Sequence, residues 1–258
     1  MTGAKQSPEN LFYCGTSNVV LPEPNKAFFP LEYQDKTRLS YYSSLFNTVE
    51  INSTFYRLPM PRTVEKWANE VPDEFCFTFK LWREITHARE LSYHTGDVGK
   101  FLDVINNIGE KKGCLLVQFP ASIRMSYFSK VRRLLDALSD GGKLSGWHLA
   151  VEFRDRSWYT DVVYEMLEHY KAAIVVHDMP RSATPSIEMQ QHVAYLRFHG
   201  EEGDYKGSYS SDFLGEYATY VQSRLAKGQP VFAYFNNTIG DAFRNAITLN
   251  QYVTAPFR

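Results

Sequence analysis

Eight short runs of apolar and aromatic residues recur along the chain, and stretches with helical spacing separate them. The runs cover residues 12–17, 48–52, 75–80, 114–119, 148–153, 172–178, 193–200 and 231–237. Apolar runs of this length are typical of strands, whereas apolar residues three and four positions apart indicate amphipathic helices. The pattern therefore predicts eight strands that alternate with helices.

Three residues mark predicted helix boundaries. Pro61 suits a first helical turn because its missing N–H would have no partner there. Ser126 is expected to cap the helix that follows it, and Gly228 is expected to end the helix before the last strand. The connection after the sixth strand is shorter, because residues 185–191 supply only about two helical turns.

Eight repeats of strand and helix within about 250 residues predict a single (β/α)8 barrel of the TIM type, with parallel strands and a shortened crossover after strand six. A doubly wound open sheet is the alternative. That fold usually carries a glycine-rich GxGxxG turn after its first strand, and residues 14–20 do not match it. Residues 1–258 are expected to form one domain, with about residues 1–10 as a polar tail.

Composition limits the binding partners and the cellular location expected for the protein. Lys and Arg total 28 against 29 for Asp and Glu, which argues against a large surface for polyanions but allows a local basic pocket. No apolar stretch resembles a signal peptide or reaches the roughly 18 residues of a membrane span, so no membrane association is expected. The three cysteines are isolated in apolar runs, as buried reduced thiols are, and a cytoplasmic location is expected.

Polar residues follow apolar residues on one face of the predicted strands. In the fifth run, Ala150, Glu152 and Arg154 share a face because side chains alternate along a strand. The same counting gives these further sets: Glu50 with Asn52, Thr78 with Lys80, Leu116 with Gln118, Val176 with Asp178, Tyr195 with Arg197 and His199, and Tyr234 with Asn236. A barrel produces this pattern when its interior is packed below and carries a site at the carboxyl rim.

The charges on that rim nearly cancel. Three carboxylates stand against three cations, Lys80, Arg154 and Arg197. The set could therefore be an ion-pair network that only closes the barrel. Because desolvating several charges can cost as much as their attraction returns, we favour a functional pocket.

Ordered motifs along almost the whole chain carry a family resemblance. They are GTS (15–17), VEINSTFYRLP (49–59), FKLWREITH (79–87), LLVQFP (115–120), VEFRDRSW (151–158), HDMP (177–180), RFHG (197–200), YKGSYS (205–210) and YFNNTIGDAFRNA (234–246). Together they resemble the domain-of-unknown-function family 72, the YecE-like proteins. The resemblance implies a TIM-barrel fold and a pocket formed by these motifs, but no particular substrate.

Five residues are the candidates for catalysis: Glu50, His87, Glu152, Asp178 and His199. His87 and His199 are the candidates for proton transfer, because imidazole is the side chain that titrates near neutral pH without perturbation. Glu50 and Glu152 are also compatible with the paired carboxylates of a glycosidase.

Eleven residues are the candidates for ligand binding: Asn52, Tyr56, Lys80, Gln118, Arg154, Trp158, Arg197, Tyr205, Tyr209, Asn236 and Asn237. The three cations among them would form an anion clamp. The loops after strands seven and eight hold a phosphate in many barrels, through backbone amides and a helix amino end. The Tyr56 ring would stack on a sugar or base, or else pack as a lid on the rim.

Three hypotheses about function follow. The first is an enzyme of hydrolase or lyase type that uses acid/base chemistry on a small anionic ligand containing phosphate or sugar. The second is a non-catalytic module that binds nucleic acid or a phosphorylated metabolite, and the third is a metal-dependent, endonuclease-like phosphodiester hydrolase. No cofactor or metal is expected, because cationic side chains compete for the carboxylates and no HxH or HxxxH spacing is present. The substrate and the oligomeric state stay open at this stage.

Overall fold

The computed structural model of the chain describes residues 11–185 and 191–255. Eight parallel strands form one sheet in the order β1-β8-β7-β6-β5-β4-β3-β2. The strands are β1 (Phe12–Thr16), β2 (Thr48–Ile51), β3 (Cys76–Lys80), β4 (Lys112–Phe119), β5 (His148–Phe153), β6 (Ala173–His177), β7 (Ala194–Phe198) and β8 (Val231–Phe235). Each lies within two residues of its predicted run, and the predicted TIM-type barrel is confirmed.

The barrel closes between β1 and β2 by a short contact at the carboxyl end. Ser17 pairs with Glu50 in an isolated parallel bridge, and the backbone N–H of Asn18 donates to the Glu50 carbonyl at 2.7 Å. The two strands are not hydrogen-bonded as a continuous ladder elsewhere along this seam. The barrel is therefore nearly closed, with one weak seam.

Side chains from the connection between β1 and β2 fill that seam. The Tyr42 hydroxyl accepts a hydrogen bond from the Thr16 amide at 2.8 Å and donates to the Thr48 carbonyl at 3.2 Å. The Asn47 amide bonds two backbone groups of β1, at 3.2 and 2.7 Å. These side chains satisfy backbone groups that a direct strand pair would otherwise satisfy.

Nine α-helices lie within the described ranges and surround the strands. They are α1 (Arg38–Tyr42), α2 (Ser53–Tyr56), α3 (Pro61–Asn69), α4 (Arg83–Thr86), α5 (Gly96–Ile105), α6 (Phe128–Ser139), α7 (Asp161–His169), α8 (Ser211–Leu225) and α9 (Ala242–Thr254). Pro61 begins α3 and Gly228 follows α8 with φ +71°, as predicted. The capping role of Ser126 was wrong: this residue lies in a short 3-10 turn, and α6 begins two residues later.

Two parts of the sequence-based prediction lie outside the described residues. The polar tail over residues 1–10 is one of them, and residues 186–190 of the sixth crossover are the other. The described parts of that crossover, residues 178–185 and 191–193, contain turns and bends and no helix.

The barrel interior is apolar at its amino end and becomes polar toward its carboxyl end. Tyr13 stacks on Phe232 with the ring centroids 4.5 Å apart. Above them, the Tyr234 hydroxyl lies 2.7 Å from the hydroxyls of both Thr48 and Thr78. This gradient places the charged residues of the strands in a layer above a packed core.

Strand β6 faces inward with the opposite phase to the predicted one. Val175 pairs in register with Tyr195, and His177 pairs with Arg197. His177 therefore shares the inner face with Val175, whereas Val176 packs on the outer core. The prediction that Val176 and Asp178 share the inner face was wrong, because a continuously apolar strand carries no alternation that defines its phase.

The three cysteines are free thiols, two of them buried (Cys14 and Cys114) and one partly buried (Cys76). Burial raises the pKa of all three thiols. Among the helices of residues 11–185 and 191–255, none combines the length and the apolar composition that a membrane crossing requires.

Candidate functional site: a buried charge cluster at the carboxyl end of the barrel

Arg197 on β7 is the centre of the charge cluster. Its Nε donates to the two carboxylate oxygens of Glu50 at 3.1 and 2.9 Å, and its Nη2 donates to Oε1 at 2.8 Å. Its Nη1 donates to Glu152 Oε2 at 3.0 Å. All three side chains are at most 1% exposed. One guanidinium thus joins the carboxylates of β2 and β5 across the barrel.

Both carboxylates have further donors. Glu50 accepts from the Ser17 hydroxyl at 2.6 Å and from the Tyr195 hydroxyl at 2.5 Å. Burial by itself would raise the pKa of the Glu50 carboxyl, but the charge and hydrogen bonds of Arg197, with those two hydroxyls, hold it below its usual value. The carboxylate is therefore ionised at neutral pH and held in one position.

A second arginine completes the environment of Glu152. The Nε of Arg154, at the end of β5, donates to Glu152 Oε1. Burial alone would raise the pKa of Glu152, but the charges of Arg154 and Arg197 hold it well below the usual range. Two carboxylates are thus balanced by two guanidinium groups, and all four are charged at neutral pH.

His199 is held in its neutral form. Its Nε2 lies 2.9 Å from Nη2 of Arg154 and 3.2 Å from Nη1 of Arg197, and both of these groups can only donate. Its Nδ1 lies 3.1 Å from Asp178 Oδ1. Burial lowers the pKa of His199 to about 4, although the bond to Asp178 opposes the shift. The proton is therefore on Nδ1, and Nε2 is an acceptor that is already in use.

Asp178 joins this cluster to the loop after β7. The Tyr209 hydroxyl donates to Asp178 Oδ2 and accepts from the Gly200 amide at 2.5 Å. The side chain of Asp178 is 14% exposed, so it lies at the edge of the cluster. Asp178 thus reaches the cluster from a position just beyond β6.

Unlike Arg154 and Arg197, Lys80 at the end of β3 forms no ion pair with the described residues. Its Nζ lies 4.2 Å from the centroid of the Phe55 ring, and no acceptor in the described residues takes a hydrogen bond from it. Burial, and then the charge of Arg197, lower the pKa of the Lys80 amine to about 7, although Glu152 and Glu50 oppose the shift. A substantial share of this amine is therefore neutral near pH 7.

His87 contacts the same aromatic ring. Its ring meets Phe55 edge to face at 4.8 Å, and its Nδ1 lies 2.9 Å from the Thr86 hydroxyl. Burial, followed by the charges of Lys80, Arg83 and Arg154, lowers the pKa of His87 to about 4. The loops after β2 and β3 thus place a neutral imidazole near a partly neutral amine.

Comparison with known proteins identifies the family. The family model described as "Protein of unknown function DUF72" matches residues 13–257. The chain belongs to the DUF72 family. It is 25% identical over 246 residues to the UPF0759 protein YunF of Bacillus subtilis (strain 168), covering 83% of this chain and 85% of that protein. It is 32% identical over 102 residues to the UPF0759 protein YecE of Escherichia coli (strain K12), covering 40% and 38%.

Solved structures of DUF72 proteins share the fold. The chain aligns with one from Enterococcus faecalis V583 at a TM-score of 0.76 and 18% identity, covering 96% of this chain and 97% of that one. It aligns with another from Thermotoga maritima MSB8 at a TM-score of 0.69 and 23% identity, covering 95% and 100%. At this level of identity the likeness establishes the barrel alone.

Four other predicted residues of this DUF72 chain lie around the cluster. Gln118 pairs in register with Glu152 and is 7% exposed. The Asn52 side chain is 9% exposed, and its Oδ1 is buried without a partner among the described residues. Asn236 is half-buried at the end of β8, and the Tyr205 ring lies 5.9 Å from that of His199. These side chains form the rim above the charged layer.

Three predicted ligand-binding residues lie elsewhere. Trp158 is fully buried against Phe153, with the ring centroids 4.4 Å apart, and its Nε1 donates to a backbone carbonyl at 2.7 Å. Asn237 points away from the cluster and donates to the Gly207 carbonyl and the Asn245 side chain, each at 3.0 Å. Tyr56 is 68% exposed and leaves the inner position to Phe55.

The loops after β7 and β8 bind each other. The amides of Ile239 and Asp241 donate to the carbonyls of Tyr205 and Gly207, both at 3.0 Å. These are two of the backbone donors that a phosphate at this position would need. These two amides are therefore not free to bind a phosphate.

Three residues of the site were missed by the sequence analysis: Ser17, Phe55 and His177. Alternation placed Tyr195 on the inner face, but it was not among the predicted catalytic or ligand-binding residues. Ser17 could have been found by counting alternate residues along β1 from Tyr13. His177 was hidden by the phase of β6, and its ring meets that of His199 edge to face at 5.9 Å. Phe55 belongs to a helix in a loop, where strand periodicity gives no information.

Within residues 11–185 and 191–255, no group of three His, Cys, Asp or Glu side chains is placed to share a metal ion. Guanidinium groups occupy the carboxylates that a metal would need, and Nε2 of His199 already accepts from two arginines. The donor set of the cluster therefore suits ion pairing better than metal coordination.

Surface grooves lie apart from this chemistry. One of about 1010 Å³ is lined by residues of α6 such as Lys130 and Asp136, and one of about 500 Å³ lies near Asn47 and Phe75. Neither contains a residue of the cluster. Because a ligand site needs polar groups that converge, we place the candidate site at the barrel end rather than in the larger grooves.

Proposed function

We propose that this DUF72 chain is an enzyme that binds a small anionic ligand, containing phosphate or sugar, at the carboxyl end of its barrel. The reaction uses acid/base chemistry of the hydrolase or lyase type. The observation that carries the proposal is the position of Lys80, which lies beside a buried charge cluster and has no hydrogen-bond acceptor within residues 11–185 and 191–255. Unpaired cations at a barrel rim are suited to binding an anion.

The anion contacts are Lys80 and Arg154. Arg197 is 1% exposed and engaged with Glu50 and Glu152, so it acts from beneath as a fixed charge. The Arg154 side chain is 12% exposed, and its Nη1 donates to no acceptor within the described ranges. The clamp of three cations expected from the sequence is thus reduced to two.

Proton transfer is assigned to Lys80, with His87 as the second group. The amine titrates near pH 7, which is where a general base is most effective. The carboxylates of Glu50 and Glu152 are ionised and hydrogen-bonded to Arg197, so they orient the arginines. His199 has both ring nitrogens in use and positions Arg154 rather than exchanging protons.

Binding is tested by thermal melts with and without phosphate and glucose 6-phosphate. The wild type is expected to gain stability with either anion, since a ligand that binds only the folded state stabilises it. Arg154→Leu is expected to lose about ten- to a hundredfold in affinity, the range for one bond to a charged group. The matched control is Arg156→Leu, which removes an exposed arginine two residues away and should leave the anion response unchanged.

Catalysis is tested by Lys80→Arg, which keeps the positive charge but removes the amine that titrates near neutral pH. Turnover is followed on a panel of nitrophenyl phosphates and nitrophenyl glycosides. For any substrate that the wild type turns over, the variant should retain anion-dependent stabilisation and lose at least a hundredfold in kcat, the lower range for a general acid or base. Anion binding without turnover of any member of the panel, or with turnover unaffected by Lys80→Arg, would favour the non-catalytic binding module.

A further inference from the structure

We infer that the Lys80 amine is a nucleophile, which forms an imine with a small aldehyde or ketone carrying a carboxylate or a phosphate. The inference deepens the proposed function and rests on it, because the same rim binds the anionic part of the ligand. It assigns a covalent role to a residue that sequence analysis treated only as an anion contact.

Lys80 differs from the other lysines with described contacts because it combines partial burial with the lack of an acceptor among the described residues. Lys111 donates to two backbone carbonyls at 2.8 and 2.7 Å, and Lys112 donates to one at 2.9 Å. Lys143 pairs with Asp103 at 2.7 Å. Lys36 and Lys100 also lie over aromatic rings, but both are exposed to solvent. Lys80 is half-buried over the face of Phe55, and none of the described residues accepts a hydrogen bond from its nitrogen. An amine so placed keeps a lone pair available for attack once it has lost its proton.

The neighbouring charges explain why Lys80 stays unpaired. Glu50 and Glu152 are the carboxylates whose negative charges act on Lys80, and both form ion pairs with Arg197. Neither carboxylate forms a salt bridge with Lys80. Burial, and then the charges of Arg197 and Arg154, disfavour the protonated form of the amine. Burial and adjacent cations are the two means by which proteins activate a lysine toward carbonyl groups.

The ligand class follows from the group next to the amine. Arg154 presents a partly exposed guanidinium at the same end of the barrel. An anionic group on the ligand would pair with it and leave the carbonyl carbon near Lys80. A carbonyl compound with a carboxylate or a phosphate satisfies both contacts, whereas a neutral carbonyl compound satisfies one.

The covalent step needs no oxidant or reductant. The neutral amine adds its electron pair to the carbonyl carbon, and the C=O π electrons move to the oxygen, giving a carbinolamine. The C–O bond then breaks, and the oxygen leaves as water with both former amine protons. The product is an imine with a C=N bond. When the imine takes up one proton it becomes an iminium ion, which acts as an electron sink for the acid/base chemistry proposed above.

Reductive trapping tests the inference. The full chain is incubated at pH 7 with sodium cyanoborohydride and either pyruvate, for the carboxylate arm, or glyceraldehyde 3-phosphate, for the phosphate arm. Intact mass and peptide mapping then locate the adduct. We expect one adduct per chain, at Lys80, formed at least tenfold faster than at any other lysine in at least one arm. Lys80→Arg should abolish this adduct, while the control Lys112→Arg should keep it.

The outcomes separate the inference from the proposed function. Adducts spread over surface lysines, or an unmodified Lys80 in both arms, in a protein that phosphate still stabilises would overturn the imine and leave the proposed anion site standing. An unmodified Lys80 in a protein that no anion stabilises would overturn both. Melting curves of Lys80→Arg check that the variant folds. The pH dependence of acetylation at Lys80 in the wild type is a second measure of the reactivity of the amine, and it needs no variant.

Discussion

Asp178 accepts two hydrogen bonds from His199, one from its backbone amide at 2.8 Å and one from Nδ1 of its ring at 3.1 Å. The pair fixes the ring orientation and places the proton on Nδ1. The opposite nitrogen, Nε2, is therefore free to accept from Arg154 and Arg197. An imidazole in this setting acts as a neutral spacer between one carboxylate and two guanidinium groups, and protonating it would add a third positive charge beside them.

The first prediction concerns pH. The pKa of His199 is about 4 in the folded protein, against about 6.5 unfolded, so the unfolded chain binds more protons between these values. The contribution of His199 to stability is present above about pH 6.5 and is lost as pH falls toward 4, by up to about 3 kcal/mol. Urea unfolding at pH 7.0, 5.5 and 4.5 measures it.

His199→Gln should flatten this pH dependence, whereas His169→Gln, which replaces an exposed histidine, should not. His87, His148 and His177 also have lowered pKa values, and their contributions to the pH dependence of stability remain in both variants. An equal pH slope in His199→Gln and the wild type would contradict the neutral assignment.

The second prediction concerns the buried ion pair of Glu50 and Arg197. Arg197→Met should destabilise the protein by about 3–5 kcal/mol, because it leaves a buried carboxylate without its partner. The double variant Glu50→Gln with Arg197→Met should be less destabilised than the sum of the single variants. Denaturant unfolding of the four proteins measures the coupling, and additive losses would show that the two side chains do not stabilise each other.

The third prediction is that Lys80→Met stabilises the protein at pH 7. The pKa of Lys80 is lowered to about 7, so folding is opposed by a desolvated amine at every pH below its unfolded value of about 10.4. Removing that amine should add about 0.5–2 kcal/mol, the range of single stabilising substitutions. Lys111→Met is the matched control and should destabilise, since Lys111 bonds two backbone carbonyls. A less stable Lys80→Met protein would indicate that the amine serves the fold.

The fourth prediction concerns the seam between β1 and β2. A Cβ added at Gly15 would lie 2.3 Å from the Thr48 carbonyl oxygen and 2.7 Å from the Tyr42 hydroxyl. Gly15→Ala should therefore force the strands apart and cost about 1–3 kcal/mol, as overpacking does. Gly215→Ala meets no atom within 4 Å on α8 and should stabilise the helix by about 0.8–1 kcal/mol. Thermal melts compare the two, and a neutral Gly15→Ala would show that the seam can widen.

Local patterns in the sequence were enough for the architecture. Strand lengths, turn residues and helical spacing are set by neighbouring residues, so all eight strands were predicted within two residues of their observed ends. Alternation also placed Glu152 and Arg197 on the inner face, because each follows a smaller or aromatic residue two positions before it. The capping residue of α6 was missed, since Ser126 was used in a preceding turn that the pattern does not reveal.

The chemistry of the site depends on contacts between residues far apart in the chain. Side-chain alternation, a local property of each strand, predicted that three carboxylates and three cations share one end of a barrel. It assigned Glu50, Glu152 and Arg197 to the inner face correctly, whereas Asp178 reaches the cluster from beyond β6, for which alternation gave the wrong phase. Only the tertiary structure decided that Arg197 pairs with Glu50 and Glu152, while Lys80 forms no ion pair in the part of the chain that the structure describes. The reason is geometric: the reach of each side chain across the barrel depends on strand register and on loops such as the one carrying Phe55, and neither is encoded by the spacing of residues within a single strand.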